Sequence, residues 1–157
     1  MKQIALLVVM FISLNAAFAQ ATIDKGYKDL NLGVGFSGYG LPVYFGMDFG
    51  VYKDITVGFN AAVRFDDYYN NSLGISGNGN YHFNTLLELP SQWDLYAGLS
   101  LGYIIWFGDD GYDGGDDFGL DLQVGGRYFW NDSWAINVEF GGGTAFSGGK
   151  IGVTKKL

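Results

Sequence analysis

Apolar and polar residues alternate with a period of two over most of the chain after residue 20. The longest run is residues 93–107, in which every odd position holds an apolar or aromatic residue and most even positions hold small or polar ones. A period of two places successive side chains on opposite faces of a β-strand. Beyond residue 20, no window has the helical spacing i, i+3, i+4, i+7 without interior glycines. The pattern therefore predicts an all-β protein.

Eight segments share this alternation, with large apolar residues on one face and glycine or polar residues on the other. They are residues 30–37, 43–51, 55–65, 75–83, 93–107, 120–128, 134–141 and 151–154. Two tight turns, 52–54 and 131–133, alternate with long polar connections at 66–74 and 108–117. Short turns on one side and longer loops on the other are typical of outer-membrane barrels, if both termini lie on the inner side.

The polar faces indicate which side of the sheet is buried. They carry few charges, and these nearly balance in sign when Lys156 is included. The polar-face charges are Asp48, Arg64, Asp94, Asp121, Arg127 and Glu139. A soluble surface carries roughly a quarter to a third of charged residues. We therefore expect the polar face inside and the apolar face towards lipid, in a closed antiparallel up-and-down transmembrane β-barrel of about eight strands.

The N-terminus predicts export. Lys2 precedes an apolar stretch, residues 4–14, and Ala17 and Ala19 supply the small residues that a signal peptidase recognises. The stretch is too short for a transmembrane helix, which needs roughly 20 residues. We therefore expect a signal peptide at residues 1–19, export through the Sec pathway, and one barrel domain at residues 20–157 in the outer membrane of a Gram-negative bacterium.

Composition excludes several classes of protein. The 157 residues include 26 glycines, no cysteine and a formal net charge of −7. The absence of cysteine excludes disulfides, thiolate metal sites and a lipid anchor on cysteine. Because no broad basic surface is available to neutralise phosphates, nucleic acid is not expected as a partner. No cofactor is expected either: the GxGxxG at residues 33–38 lacks the following helix that a dinucleotide site needs.

The chain resembles the OmpA/OmpX-type family of small eight-stranded outer-membrane β-barrels. The resemblance covers the region after the signal peptide, and its most specific part is the C-terminal strand, where Lys150, Gly152 and Leu157 match the family's assembly signal while Lys155 departs from it. It implies three partners: outer-membrane lipid, lipopolysaccharide, and the barrel-assembly machinery during insertion. It also implies a non-enzymatic role in envelope structure, or in surface interaction through outer loops near residues 68–72 and 109–117.

Two alternatives remain open at this stage. One is a lipocalin-like barrel that binds a small apolar ligand, and the other is a lipid-modifying outer-membrane enzyme. An enzyme would need His82 within hydrogen-bond reach of a nucleophile. Ser76, on the same face, is six residues away, about 20 Å of strand, whereas Ser100 is an open cross-strand candidate. We expect a polar interior histidine and no catalytic site.

Charged residues suggest two further features. We expect the inward-facing ones to form a structural ion-pair network that plugs the barrel, because buried charges must be paired. Its members are Asp48, Arg64, Asp121, Arg127 and Glu139. In the acidic loop, carboxylates could bind Ca²⁺, but Gly111 and Leu120 break the EF-hand pattern, so a solvated loop is the preferred interpretation. The candidate ligands there are Asp109, Asp110, Asp113 and Asp116.

Overall fold

The computed structural model of the chain describes residues 23–36, 41–65, 71–107, 117–143 and 148–157. They form a closed barrel in which each strand pairs antiparallel with its neighbours in sequence, and the last strand pairs with the first. The strands are β1 (Lys28–Phe36), β2 (Val43–Tyr52), β3 (Ile55–Arg64), β4 (Asn71–His82), β5 (Trp93–Phe107), β6 (Asp117–Phe129), β7 (Trp134–Gly143) and β8 (Gly148–Lys156). The predicted fold class, a closed antiparallel barrel of eight strands, is confirmed.

The predicted signal peptide lies outside the described residues, so the division into 1–19 and 20–157 stays a prediction. Within the described ranges, no helix is long and apolar enough to cross a bilayer.

Several strands extend beyond their predicted bounds. β4 begins at Asn71, although residues 66–74 were predicted as a loop, because Ser72 and Gly74 already pair with β3 and β5. β6 begins at Asp117, and β8 spans Gly148–Lys156 where only residues 151–154 were predicted. The predictions followed large apolar side chains, whereas backbone pairing continues through small and charged positions.

The two faces of the barrel wall differ sharply. Apolar side chains face outward and stay exposed, as for Leu122 at 68%. Inward-facing positions are polar and buried, at Asp29, Asn31, Asp48, Thr56, Ser72, Ser76, Asn78, Asn80, His82, Asp94, Ser100, Asp121, Gln123, Arg127, Asn137 and Thr154. This arrangement is the inverse of a soluble protein, in which apolar residues are buried and charged residues are exposed.

We call the end that holds Lys28 and Lys156 the inner end, and the opposite end the outer end. Residues 23–27 fold against the inner end: Asp54 N donates to Ile23 O (2.8 Å) and Gly50 N donates to Tyr27 O (2.8 Å). Gly26 has a φ of 98°, a conformation that suits glycine in such a turn. Ile23 is 1% exposed, so its side chain is enclosed at this end of the barrel.

Inward-facing glycines let the lumen pack tightly, and this gives a first prediction. Replacing Gly98 with Ala should destabilise the barrel by about 1–3 kcal/mol, because the added carbon would clash with the carbonyl oxygen of Gly79 and the amide oxygen of Asn80. Gly79→Ala is the matched control, since nothing lies within 4 Å of its added carbon. Urea unfolding in detergent micelles, followed by circular dichroism, measures both variants. Equal losses would contradict the packing argument.

Candidate functional site

Arg127, on β6, is the centre of the polar lumen. Its guanidinium contacts carboxylates from three other strands: Nη1 lies 3.1 Å from Asp29 Oδ2 and 3.2 Å from Asp94 Oδ2, and Nη2 lies 2.6 Å from Asp48 Oδ2. The Tyr96 ring centroid lies 4.8 Å from the guanidinium carbon. All five side chains are buried. Arg127 therefore links β6 to β1, β2 and β5 through the interior.

Three carboxylates around one guanidinium leave this group with more negative than positive charge. Neutral donors supply additional hydrogen bonds. Asn31 Nδ2 donates to Asp29 Oδ1 (2.7 Å) and to Asp48 Oδ2 (3.2 Å), while Asn78 Nδ2 donates to Asp48 Oδ1 (2.8 Å). Hydrogen bonds to ionised oxygens are about twice as strong as neutral ones. They offset part of the cost of removing the carboxylates from water.

A second ion pair lies in the lumen beside this group. Lys150 Nζ is 2.6 Å from Glu139 Oε1, and the Tyr96 hydroxyl donates to Glu139 Oε2 (2.9 Å). Tyr96 thus touches both charge groups, since its ring also covers Arg127. Lys150 lies over the ring of Tyr44, whose hydroxyl donates to Asn137 Oδ1 (2.6 Å). The pair is partly open to water, with Lys150 26% and Glu139 14% exposed.

The outer half of the lumen is lined mainly by neutral polar groups. Gln123 accepts a hydrogen bond from Ser100 and donates to Asn80 Oδ1 (2.6 Å). At the outer end of β3, the guanidinium carbon of Arg64 lies 5.6 Å from the centroid of the Trp106 ring. Asp121 is buried on β6, opposite Ser100 on β5.

Two small cavities lie among the described residues of the lumen. Measured as the space open to the centre of a water molecule, they have volumes of about 40 Å³ and 20 Å³. A buried water needs about 10–15 Å³ on this measure, so each cavity holds only a few waters. Both are lined by Tyr44, Asn60, Glu139 and Lys150. Neither is a wide channel.

His82 lies between two partners near the inner end of β4. Its Nδ1 is 2.7 Å from Asp94 Oδ1, and its Nε2 is 3.0 Å from Thr56 Oγ1. A hydroxyl, an imidazole and a carboxylate in this order resemble an activated nucleophile. However, Thr56 and His82 are both 0% exposed, and neither lines the two cavities. Ser100 pairs with Asn78, four residues from His82, so the open cross-strand candidate is out of reach.

The structure separates the five predicted members of the interior network. Asp48 and Arg127 are in contact, and Glu139 is joined to Arg127 through Tyr96. Asp121 lies six residues along β6 from Arg127, which is about 20 Å of strand, and Arg64 lies on Trp106. The inclusion of Arg64 and Asp121 in one ion-pair network with Arg127 therefore stays a prediction.

The sequence analysis did not assign three of the charged partners. Asp29 lay just before the predicted β1, Asp94 was recognised only as a polar-face charge, and Lys150 only as part of the C-terminal signal. Extending the alternation of β1 back by one residue, to the position before Leu30, would have placed Asp29 inside.

The candidate Ca²⁺ ligands, Asp109, Asp110, Asp113 and Asp116, lie outside the described residues. In the ranges that are described, no three His, Cys, Asp or Glu residues are arranged to hold a metal ion.

Comparison with known proteins identifies the fold. No family model and no curated protein matches the sequence. Among solved structures, the chain is similar to the N-terminal β-barrel domain of Pseudomonas aeruginosa OprF, with a TM-score of 0.67, 10% identity, and coverage of 85% of this chain and 98% of that one. A de novo designed transmembrane β-barrel has a TM-score of 0.61 and 16% identity, with coverage of 85% of this chain and 98% of that one. The Yersinia pestis outer membrane protein Ail has a TM-score of 0.55 and 12% identity, with coverage of 85% of this chain and 100% of that one. The chain therefore has the eight-stranded fold of these barrels.

The charge group around Arg127 gives a second prediction. Arg127→Gln should lower the free energy of unfolding by about 3–5 kcal/mol, because it leaves buried carboxylates without their cation. Asp48→Asn should cost much less, since it removes negative charge from a group that has an excess. In the double variant Asp48→Asn should recover part of the loss. Urea titration of the double-mutant cycle in micelles measures the coupling, and additive effects would contradict the network.

Proposed function

We propose that the chain is a non-enzymatic outer-membrane β-barrel, exported through the Sec pathway, that contributes to envelope structure or surface interaction through the connections at its outer end. The observation that carries the proposal is the outward face of the eight strands, which is apolar around the whole described circumference. Exposed side chains such as Leu99 (46%), Leu120 (51%) and Ile136 (43%) occur at outward positions on successive strands. An apolar surface of this extent suits contact with lipid.

The geometry of the strands supports the membrane placement. A closed barrel leaves no strand edge unpaired, as the hydrocarbon interior requires. The strands have 9 to 15 residues, and about 9–11 are needed to cross a bilayer when tilted. The similar structures also support it: one is named an outer membrane protein and was studied in a phospholipid bilayer nanodisc, and another is a designed transmembrane barrel.

The filled interior supports a structural role over general transport. Arg127 and its carboxylates occupy the lumen, and the two cavities lined by described residues admit only a few waters each. The inner end is enclosed by Ile23, with Phe129 and Ala135 also buried there. Recognition is therefore assigned to the connections near residues 68–72 and 109–117, although Asn71, Ser72 and Asp117 belong to strands. We propose outer-membrane lipid, lipopolysaccharide and the barrel-assembly machinery as partners.

Neither alternative function fits the interior as well. A barrel that binds an apolar ligand needs a cavity of roughly 300–1,000 Å³, whereas the two described cavities, both lined by Tyr44, Asn60 and Lys150, have volumes of about 40 Å³ and 20 Å³. A lipid-modifying enzyme needs its nucleophile exposed to substrate, and Thr56 beside His82 is enclosed.

Membrane fractionation tests the proposal. The protein should remain in the sarkosyl-insoluble outer-membrane fraction and migrate faster on gels before boiling than after it, because the closed barrel resists detergent until it is heated. The sample is the full, untagged chain expressed in Escherichia coli and detected by an antiserum raised against the purified protein. Recovery in the soluble periplasmic fraction without a heat-dependent shift would overturn the proposal.

Planar-bilayer recording tests the closed lumen separately. The purified barrel should give no large, steady single-channel conductance, because the Arg127 group and the enclosed inner end leave no continuous water path. A large-pore porin reconstituted at the same concentration is the control. Long-lived openings comparable to those of the porin would contradict a filled interior without contradicting membrane insertion.

A further inference from the structure

The outward face carries very little charge, and that charge is confined to one place. Among the outward-facing strand side chains that the structure describes, the charged ones are Lys28 and Lys155. Lys28 begins β1, and Lys155 is the second-last residue of β8. These strands pair with each other, with Leu30 opposite Lys155. Two like charges therefore lie close together at the inner end, where the barrel closes.

Neither lysine is neutralised by the described part of the chain. The cations of the ion pairs among the described residues are Arg127, His82 and Lys150, and no ion pair includes Lys28 or Lys155. Asp132, in the turn before β7, forms no ion pair with Lys155. Two neighbouring ammonium groups repel each other, and a nearby anion would relieve this repulsion.

Aromatic side chains mark the level of the lysines in the membrane. Lys155 Nζ lies 4.8 Å from the centroid of the Trp134 ring, which is 39% exposed. The rings of Trp93 and Tyr128 are in contact at the inner ends of β5 and β6, 4.9 Å apart. Trp and Tyr favour the boundary between hydrocarbon and headgroups. At that boundary the anion within reach is a lipid phosphate.

We propose that Lys28 and Lys155, beside Trp134, form a binding site for the headgroup of an anionic phospholipid in the inner leaflet of the outer membrane. The site rests on the proposed membrane placement. A zwitterionic headgroup also carries a phosphate, but its cationic amine would meet the lysine pair. An anionic headgroup supplies the charge that the pair lacks, while Trp134 packs beside the lipid. The site therefore selects phosphatidylglycerol over phosphatidylcholine.

Native mass spectrometry of the barrel released from nanodiscs tests the site. The nanodiscs contain equal amounts of phosphatidylglycerol and phosphatidylcholine. The wild-type barrel should retain one phosphatidylglycerol, with a preference of about five-fold per lysine. In Lys28→Gln the preference for phosphatidylglycerol should fall about five-fold. In the double variant Lys28→Gln/Lys155→Gln nearly all of this preference should be lost. The matched control is Lys25→Gln/Lys53→Gln, which removes the same charge from exposed inner connections and should keep the preference.

Each other outcome counts against the site. A wild-type barrel that inserts and is heat-modifiable, but retains both lipids equally, would overturn the site while leaving the membrane placement intact. An equal loss of preference in the control would reduce the effect to general charge attraction and overturn it as well. In nanodiscs that also contain lipopolysaccharide, a preference for lipopolysaccharide that disappears in Lys28→Gln/Lys155→Gln would overturn the assignment to the inner leaflet. Failure of the wild-type chain to insert would overturn the membrane placement and the site together.

Discussion

Arg127 reaches across the lumen from β6 to Asp48 on β2, and in a ring of eight strands these two lie on opposite walls. The same guanidinium contacts Asp29 on β1, so strands that share no backbone hydrogen bond are joined through the centre. It also contacts Asp94 on the neighbouring strand β5. The interior therefore has a fixed diameter as well as a fixed register. Because the carboxylates outnumber the cation, the loss of Arg127 leaves repulsion as well as unpaired charge. The glycines around it follow from the same constraint: Gly58 packs directly against Asp48, where a larger residue would displace the carboxylate.

The alternation of apolar and polar residues predicts most of the fold, because the two faces of each strand meet different environments. One face lines the polar lumen, and the other forms the apolar outer surface. Residues 93–107 show apolar side chains at every odd position, and the structure pairs all of this segment as β5. Where side chains are small, the signal fails. Ser72 and Gly74 offer no contrast between the faces, so the start of β4 was assigned to a loop. Backbone pairing with β3 and β5 still forms there, because it depends on neighbouring strands and not on side-chain size.

The interior contacts were predictable only in part. A period of two shows whether a side chain points into the lumen or outward, but it does not give the position of that side chain along the barrel axis. Arg127 and Asp121 share one strand and one face, yet about 20 Å of strand separates them. Arg127 and Asp94 come from different strands and are direct partners in the β5–β6 register. The offset in register between neighbouring strands, added around the closed barrel, decides which inward-facing residues come into contact. This offset cannot be determined from the sequence of any one strand.

The distribution of charge along the barrel connects the interior to its surroundings. Charges in the middle of the wall, such as Asp48 and Arg127, face inward and are paired, which is the arrangement that a lipid exterior would require. Lys28 and Lys155 face outward, but only at the inner end, where a long side chain reaches water or headgroups. Within the described strands, the outward charge is therefore confined to the rim that holds the paired ends of β1 and β8. On the proposed membrane placement this rim lies in a headgroup layer, while the outward face between the two rims meets only hydrocarbon.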